Sequence, residues 1–100
     1  MSEAAGIELP ADLRATAVAR LFEQTRRWGD GQMPPTIIDL ATVQKSDSSA
    51  LALLLEWQSR ARQAGREIIF RNPPDTLKVL ASLSQVETLL GWSTNLEENS

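Results

Sequence analysis

The sequence has no cysteine and no histidine. The first absence excludes disulfides, thiolate nucleophiles and Cys/His zinc sites. The second removes the side chain that most often serves as a general base near neutral pH. Carboxylates remain as ligands for Mg²⁺ or Ca²⁺, but no Asp-rich loop of the EF-hand kind occurs, and neither a metal site nor a cofactor is expected. No apolar run approaches the ~20 residues that a membrane span needs, so direct membrane insertion is not expected either. Positive charge is also scarce. Ten Lys and Arg against thirteen Asp and Glu give a formal net charge of −3, and the basic residues alternate with acidic ones. Nucleic-acid binding, which rests on many phosphate contacts, is therefore not expected. The opening residues MSEAAGIELP lack the basic start and apolar centre of a signal peptide, which predicts a soluble, cytoplasmic protein.

What is present fits one small α/β domain. A chain of 100 residues buries a single core and leaves little room for a deep substrate cleft. Residues 1–5 read as frayed, residues 1–92 as one domain, and 93–100 as a flexible tail. Ile7 and Leu9 flank Glu8 and predict a short strand that Pro10 ends or confines to an edge. From Thr16, a plausible N-cap, the period becomes helical: Val18, Leu21, Phe22, Thr25 and Trp28 share a stripe, with Arg26 and Arg27 placed to meet the helix C-terminus. Residues 29–35, GDGQMPP, form a loop. The pairs Ile37–Ile38 and Ile68–Ile69 predict two strands, 36–40 and 67–70, each buried on both faces. Between them a helix spans about 48–64, stopped by Gly65 and carrying Arg60 and Arg62 near its end. A third helix, about 74–84, turns Leu77, Leu80 and Ala81 inward, with Asn72 or Asp75 available as its cap. Val86, Leu89, Leu90 and Trp92 form a last short apolar segment. Strands alternating with helices imply parallel pairing through right-handed crossovers.

The stretch KSDSSALALLL, residues 45–55, concentrates hydroxyls and a carboxylate at the mouth of the central helix. Asp47 stands where an N-cap belongs, able to accept the amide of Ser49 or Ala50. Ser48 and Ser49 then occupy the first turn. Two readings follow. In one, these are ordinary helix-start residues. In the other, the loop is a docking surface, or a place where a phosphate on Ser48 or Ser49 is tolerated by the helix dipole while it changes the charge that a partner meets. A serine nucleophile is disfavoured because no histidine is present to activate it, and nothing around Lys45 resembles an oxyanion hole; no catalytic residues are assigned. Along the same helix Ala50, Leu53, Leu54, Trp57, Ala61 and Ala64 cluster on one side. Leu51 and Leu55 widen that arc, either as further core or as the apolar part of a protein-binding patch.

IIDLATVQKSDSSALALLLEW, followed by a Gly-ended helix, EIIFRNPP and a Leu-rich helix, resembles the STAS domain, over roughly residues 7–90. The resemblance implies a small α/β sandwich with helices packed on a mostly parallel sheet. It also implies a partner-binding surface made by the D-S-S loop and the helix after it: Lys45, Asp47, Ser48, Ser49, Leu51 and Leu55. In anti-sigma factor antagonists of this family a partner kinase phosphorylates the hydroxyl that Ser49 matches. In the stand-alone branch, the domain binds the ATPase subunit of the Mla phospholipid ABC transporter, and Ser48 matches its hydroxyl position. The LALLLEW wording resembles that second branch, which implies a location at the inner membrane through the transporter complex. Ala50 replaces the glycine usual after the motif. The short N-terminus offers one strand where many STAS domains have two, which leaves a sheet edge open to a second copy of the chain or to a partner.

Overall fold

Strands and helices follow one another along the chain, with local signals setting some element ends and not others. The structure, a computed structural model, describes residues 7–92; the expectations for residues 1–5 and for the 93–100 tail lie outside that span. The elements are β1 (Asp12–Leu13), α1 (Ala15–Gln24), β2 (Ile37–Asp39), β3 (Lys45–Ser46), α2 (Ser48–Gln63), β4 (Ile69–Arg71) and α3 (Asp75–Leu83). The fold is α/β, and both strand pairs are parallel: β1 with β3 and β2 with β4. The first strand lies past Pro10, whereas the sequence pattern places it before. Proline has no N–H to give to a ladder. The first bonds are instead accepted by the Ala11 carbonyl from the amides of Gln44 and Lys45.

α2 is the centre of the domain, with α1 packed on one flank and α3 on the other. Its start and stop are local chemistry. Asp47 caps one end. At the other, Ala64 is followed by Gly65 at φ +76. The Gly65 amide then reaches the Arg62 carbonyl and the Arg66 amide the Ala61 carbonyl, the paired closure that a left-handed residue permits. α1 behaves differently from expectation. It starts at Ala15, with Arg14 in the cap position and no side-chain bond there, so Thr16 lies within the first turn. It also ends at Gln24, before Arg26 and Arg27 can serve its carbonyls. Arg60 of α2 does so instead, donating to the Thr25 carbonyl at 2.9 Å while its Nε pairs with Glu56 at 2.8 Å. α3 likewise lacks a side-chain cap: Pro74 holds that position, Asp75 is already helical, and Asn72 donates to Asp39.

The core lies between the helices and one face of the β2–β4 pair. Trp57 is fully buried and meets Trp28 with ring centroids 5.1 Å apart. Its indole donates to the Thr25 hydroxyl at 2.8 Å, and that hydroxyl donates to the Leu21 carbonyl. Gly29 follows Trp28 and lies against Arg60 of α2: its φ is +82, and a Cβ there would stand 2.9 Å from the Arg60 carbonyl oxygen. The two isoleucine pairs correct the expectation of strands covered on both faces. Ile38, Ile68 and Phe70 are buried, whereas Ile37 and Ile69 are 39% and 56% exposed. Among the described residues, helices cover one face of these strands and leave the other open, so residues alternate in and out as the pleat dictates. The last apolar segment is a turn in which Leu90 is buried and the Trp92 indole donates to the Phe70 carbonyl at 3.2 Å.

Candidate functional site

The start of α2 is organised around one carboxylate oxygen. Asp47 adopts an extended backbone at the cap position, and its Oδ1 accepts the Ser49 amide at 3.0 Å, the Ala50 amide at 3.4 Å and the Ser49 hydroxyl. These donors satisfy part of the unpaired first turn. The Ser49 hydroxyl foremost, with the Ala50 and Ser49 amides and the nearby Arg14 charge, holds the Asp47 carboxyl below the usual carboxylate range against the opposing effect of desolvation. Ser49 is thus half-buried and committed to the cap, while Ser48 is exposed. Lys45 is exposed on β3. Ser46 beside it has a buried hydroxyl with no hydrogen-bond partner among the described residues.

Acid should test this cap. A carboxylate whose folded pKa is depressed adds stability that is fully present above its unfolded pKa of about 4 and is lost as pH falls through the folded value. Asp12, held low mainly by its bond to Arg14, and Asp39, held low by Asn72 and the Ala41 amide, act in the same direction. Stability is therefore expected to fall from about pH 4 downward. Asp47→Ala should cost about 1 kcal/mol at pH 7 and Asp47→Asn distinctly less, since asparagine also caps. Urea midpoints of the three proteins at pH 7 and pH 3 check this; an alanine variant as stable as the parent would contradict the cap.

Leu51 and Leu55, paired by the sequence pattern, part company in space. Leu51 is 6% exposed and belongs to the core. It packs inward because α2 is flanked on both sides, so the wide apolar arc is mostly covered. Leu55 is half-buried and lines a groove of about 470 Å³ with Gln58, Ser59, Arg62, Gln63 and Leu89. The outward stripe of α2 is instead Ser48, Ala52, Leu55 and Ser59, spaced four, three and four residues apart, as one helix face requires. Ala52 was not singled out by sequence reasoning, because a small residue between leucines reads as core filler.

A second groove, about 490 Å³, joins Asp47 to Asp12, Arg14, Thr16, Ala17 and Arg20. Arg14 grips Asp12 with both nitrogens, at 2.7 and 2.9 Å. Sequence reasoning missed this group. The available signal was the alternation Asp12–Leu13–Arg14, in which only Leu13 is buried. The site therefore has a capped, small-residue helix start flanked by a charged groove on the α1 side and an apolar one toward Leu89. Among the described residues no group of three or more acidic side chains could hold a metal ion, and no helix is long and apolar enough to cross a membrane.

Three helices and short parallel strands, with the loop and first turns of α2 open to solvent, define a STAS-like α/β domain. The family model described as "Mlab, STAS domain" matches residues 1–91, and the chain belongs to the STAS domain family, of the MlaB type. No curated protein matches it.

Proposed function

We propose that the chain is a non-catalytic STAS module that docks on the ATPase subunit of an ABC-type phospholipid transporter and stabilises or regulates it, at the cytoplasmic side of the inner membrane. The observation that carries this reading is the outward stripe of α2. Ser48, Ala52 and Leu55 stand in line, on a helix start that Asp47 fixes before any partner arrives. Small side chains let another backbone approach closely, and Leu55 supplies an apolar contact at the far end. The MlaB type of the family match supports the transporter over other STAS partners. Such a module would serve maintenance of outer-membrane lipid asymmetry.

The rival reading, an anti-sigma factor antagonist switched by a kinase, needs a phosphate on Ser49. That hydroxyl donates to the Asp47 carboxylate. A phosphate there would remove the donor and set two negative groups against each other. The geometry therefore favours the docking module.

The test is a tagged pull-down from native, detergent-solubilised cells, with mass spectrometry of bait and partners, run on the parent chain and on Ala52→Arg. Ala52 is exposed, so the variant keeps its fold. The expected result is an ABC ATPase with its permease on the parent, and an affinity for that ATPase about tenfold weaker or more with Ala52→Arg, on the order of 1.4 kcal/mol. Recovery of a small kinase with phosphate on Ser49, or undiminished ATPase binding by the variant, would overturn the proposal.

A further inference from the structure

The open face of the β2–β4 pair carries an arrangement unrelated to the α2 site. Parallel register sets Ile37 beside Ile69 and Asp39 beside Arg71. All four are exposed, while Ile38 and Phe70 point to the core. The face therefore shows one apolar row and, one step along the strands, one row of opposite charges. Asp39 uses Oδ1 to accept the Ala41 amide and the Asn72 side chain, which leaves Oδ2 without a hydrogen-bond partner among the described residues. Arg71 makes no salt bridge among the described residues either.

We infer that this face pairs with the same face of a second copy of the chain. A two-fold axis running along the strands, midway between β2 and β4 and just above the face, turns β2 of one copy over β4 of the other. Ile37 then lies over Ile69 of the copy, and Asp39 over Arg71 of the copy, with both contacts repeated by symmetry. That is the self-complementarity a two-fold interface requires, and about 10 Å between packed sheets suits an Asp–Arg pair reaching across. Charge decides the occupant. An apolar partner would desolvate the Arg71 charge and the Asp39 Oδ2 without offering either a matching group, and a partner of one charge sign would repel one of them. The face is also small, about 10 Å on a side for two three-residue strands. It falls short of the ~800 Å² per partner of a stable complex, so the association is weak and depends on concentration. Helices lie on the far side of the sheet, so the pair leaves both α2 stripes outward, and this inference stands apart from the docking proposal.

Sedimentation equilibrium of the full chain, up to ~1 mM, the weak end of specific association, tests it. The weight-average mass of the parent should rise toward a dimer with concentration. Ile69→Lys, at an exposed position, should stay monomeric with an unchanged circular dichroism spectrum. Arg71→Glu makes the charged row wholly acidic and Asp39→Lys makes it wholly basic. Each alone should be monomeric, and a one-to-one mixture should associate again. A parent that remains monomeric to ~1 mM would overturn the inference, as would an Ile69→Lys variant that associates like the parent. If Asp39→Lys is folded, failure of the mixture to associate would overturn it as well. If that variant does not fold, the parent, Ile69→Lys and Arg71→Glu still decide.

Discussion

Trp57→Ala should cost about 3–5 kcal/mol, the range for truncating a large aromatic in a core. Trp57 is fully buried, touches Trp28 and ties α2 to the end of α1 through the Thr25 hydroxyl. Truncation leaves a cavity that the flanking helices fill only in part. Domains of this size hold about 5–15 kcal/mol in all, so the variant should stand at the edge of folding. Trp57→Phe separates the two contributions. It keeps a six-membered aromatic ring in the core and loses the indole donor with a smaller part of the packing. Because the Thr25 hydroxyl still donates to the Leu21 carbonyl at 2.8 Å, the lost bond leaves just one acceptor lone pair unmet. The phenylalanine variant should therefore lose about 1–2 kcal/mol. Urea unfolding followed by far-ultraviolet circular dichroism measures both. A loss below ~2 kcal/mol for the alanine variant would contradict the packing of Trp57.

Gln58→Leu should cost about 2–4 kcal/mol despite replacing a polar side chain by an apolar one of similar size. Gln58 is buried, and its amide forms a closed pair with the backbone of Ile68. Oε1 accepts the Ile68 amide at 2.8 Å and Nε2 donates to the Ile68 carbonyl at 2.9 Å. A helix side chain here does the work of a neighbouring strand at the residue before β4. Nε2 also reaches the Leu89 carbonyl at 3.2 Å, which holds the 87–91 turn. Leucine strands the Ile68 amide and carbonyl without partners, and that penalty exceeds what extra apolar burial returns. Hydrogen exchange at the Ile68 amide should accelerate with the loss of stability, and exchange at the start of α2 should follow only the global change. A Gln58→Leu protein as stable as the parent would show that the pairing adds nothing.

These two neighbours show where the sequence pattern stops informing. Spacing from Leu53, Leu54 and Ala61 places Trp57 on the buried arc of α2, and the structure puts all of them at the core. On a helical projection Gln58 falls beside Leu51 and Leu55, at the edge of that arc. Its burial depends on Ile68 and Leu89 arriving from 10 and 31 residues away, and no helical projection contains them. The same holds for the candidate site. Asp47 as the cap of the central helix follows from a carboxylate and two serines before a leucine run. The charged groove does not, since it requires Arg14 and Arg20 to meet Asp47 across the β1–β3 pairing.

The sequence by itself determined the interactions that close within a few residues. The Asp47 cap, the Gly65 stop and the D-S-S motif that marks the STAS family all belong there. Tertiary structure alone decided which apolar residues at the margins of each face are covered. It buried Leu51 and left Leu55 half-open, and it exposed Ile37 and Ile69 where adjacent isoleucines suggested a strand enclosed on both sides. The physical reason is range. Hydrogen bonds at helix ends are fixed by neighbours in the chain, whereas the burial of a side chain is fixed by whatever element the fold lays against it.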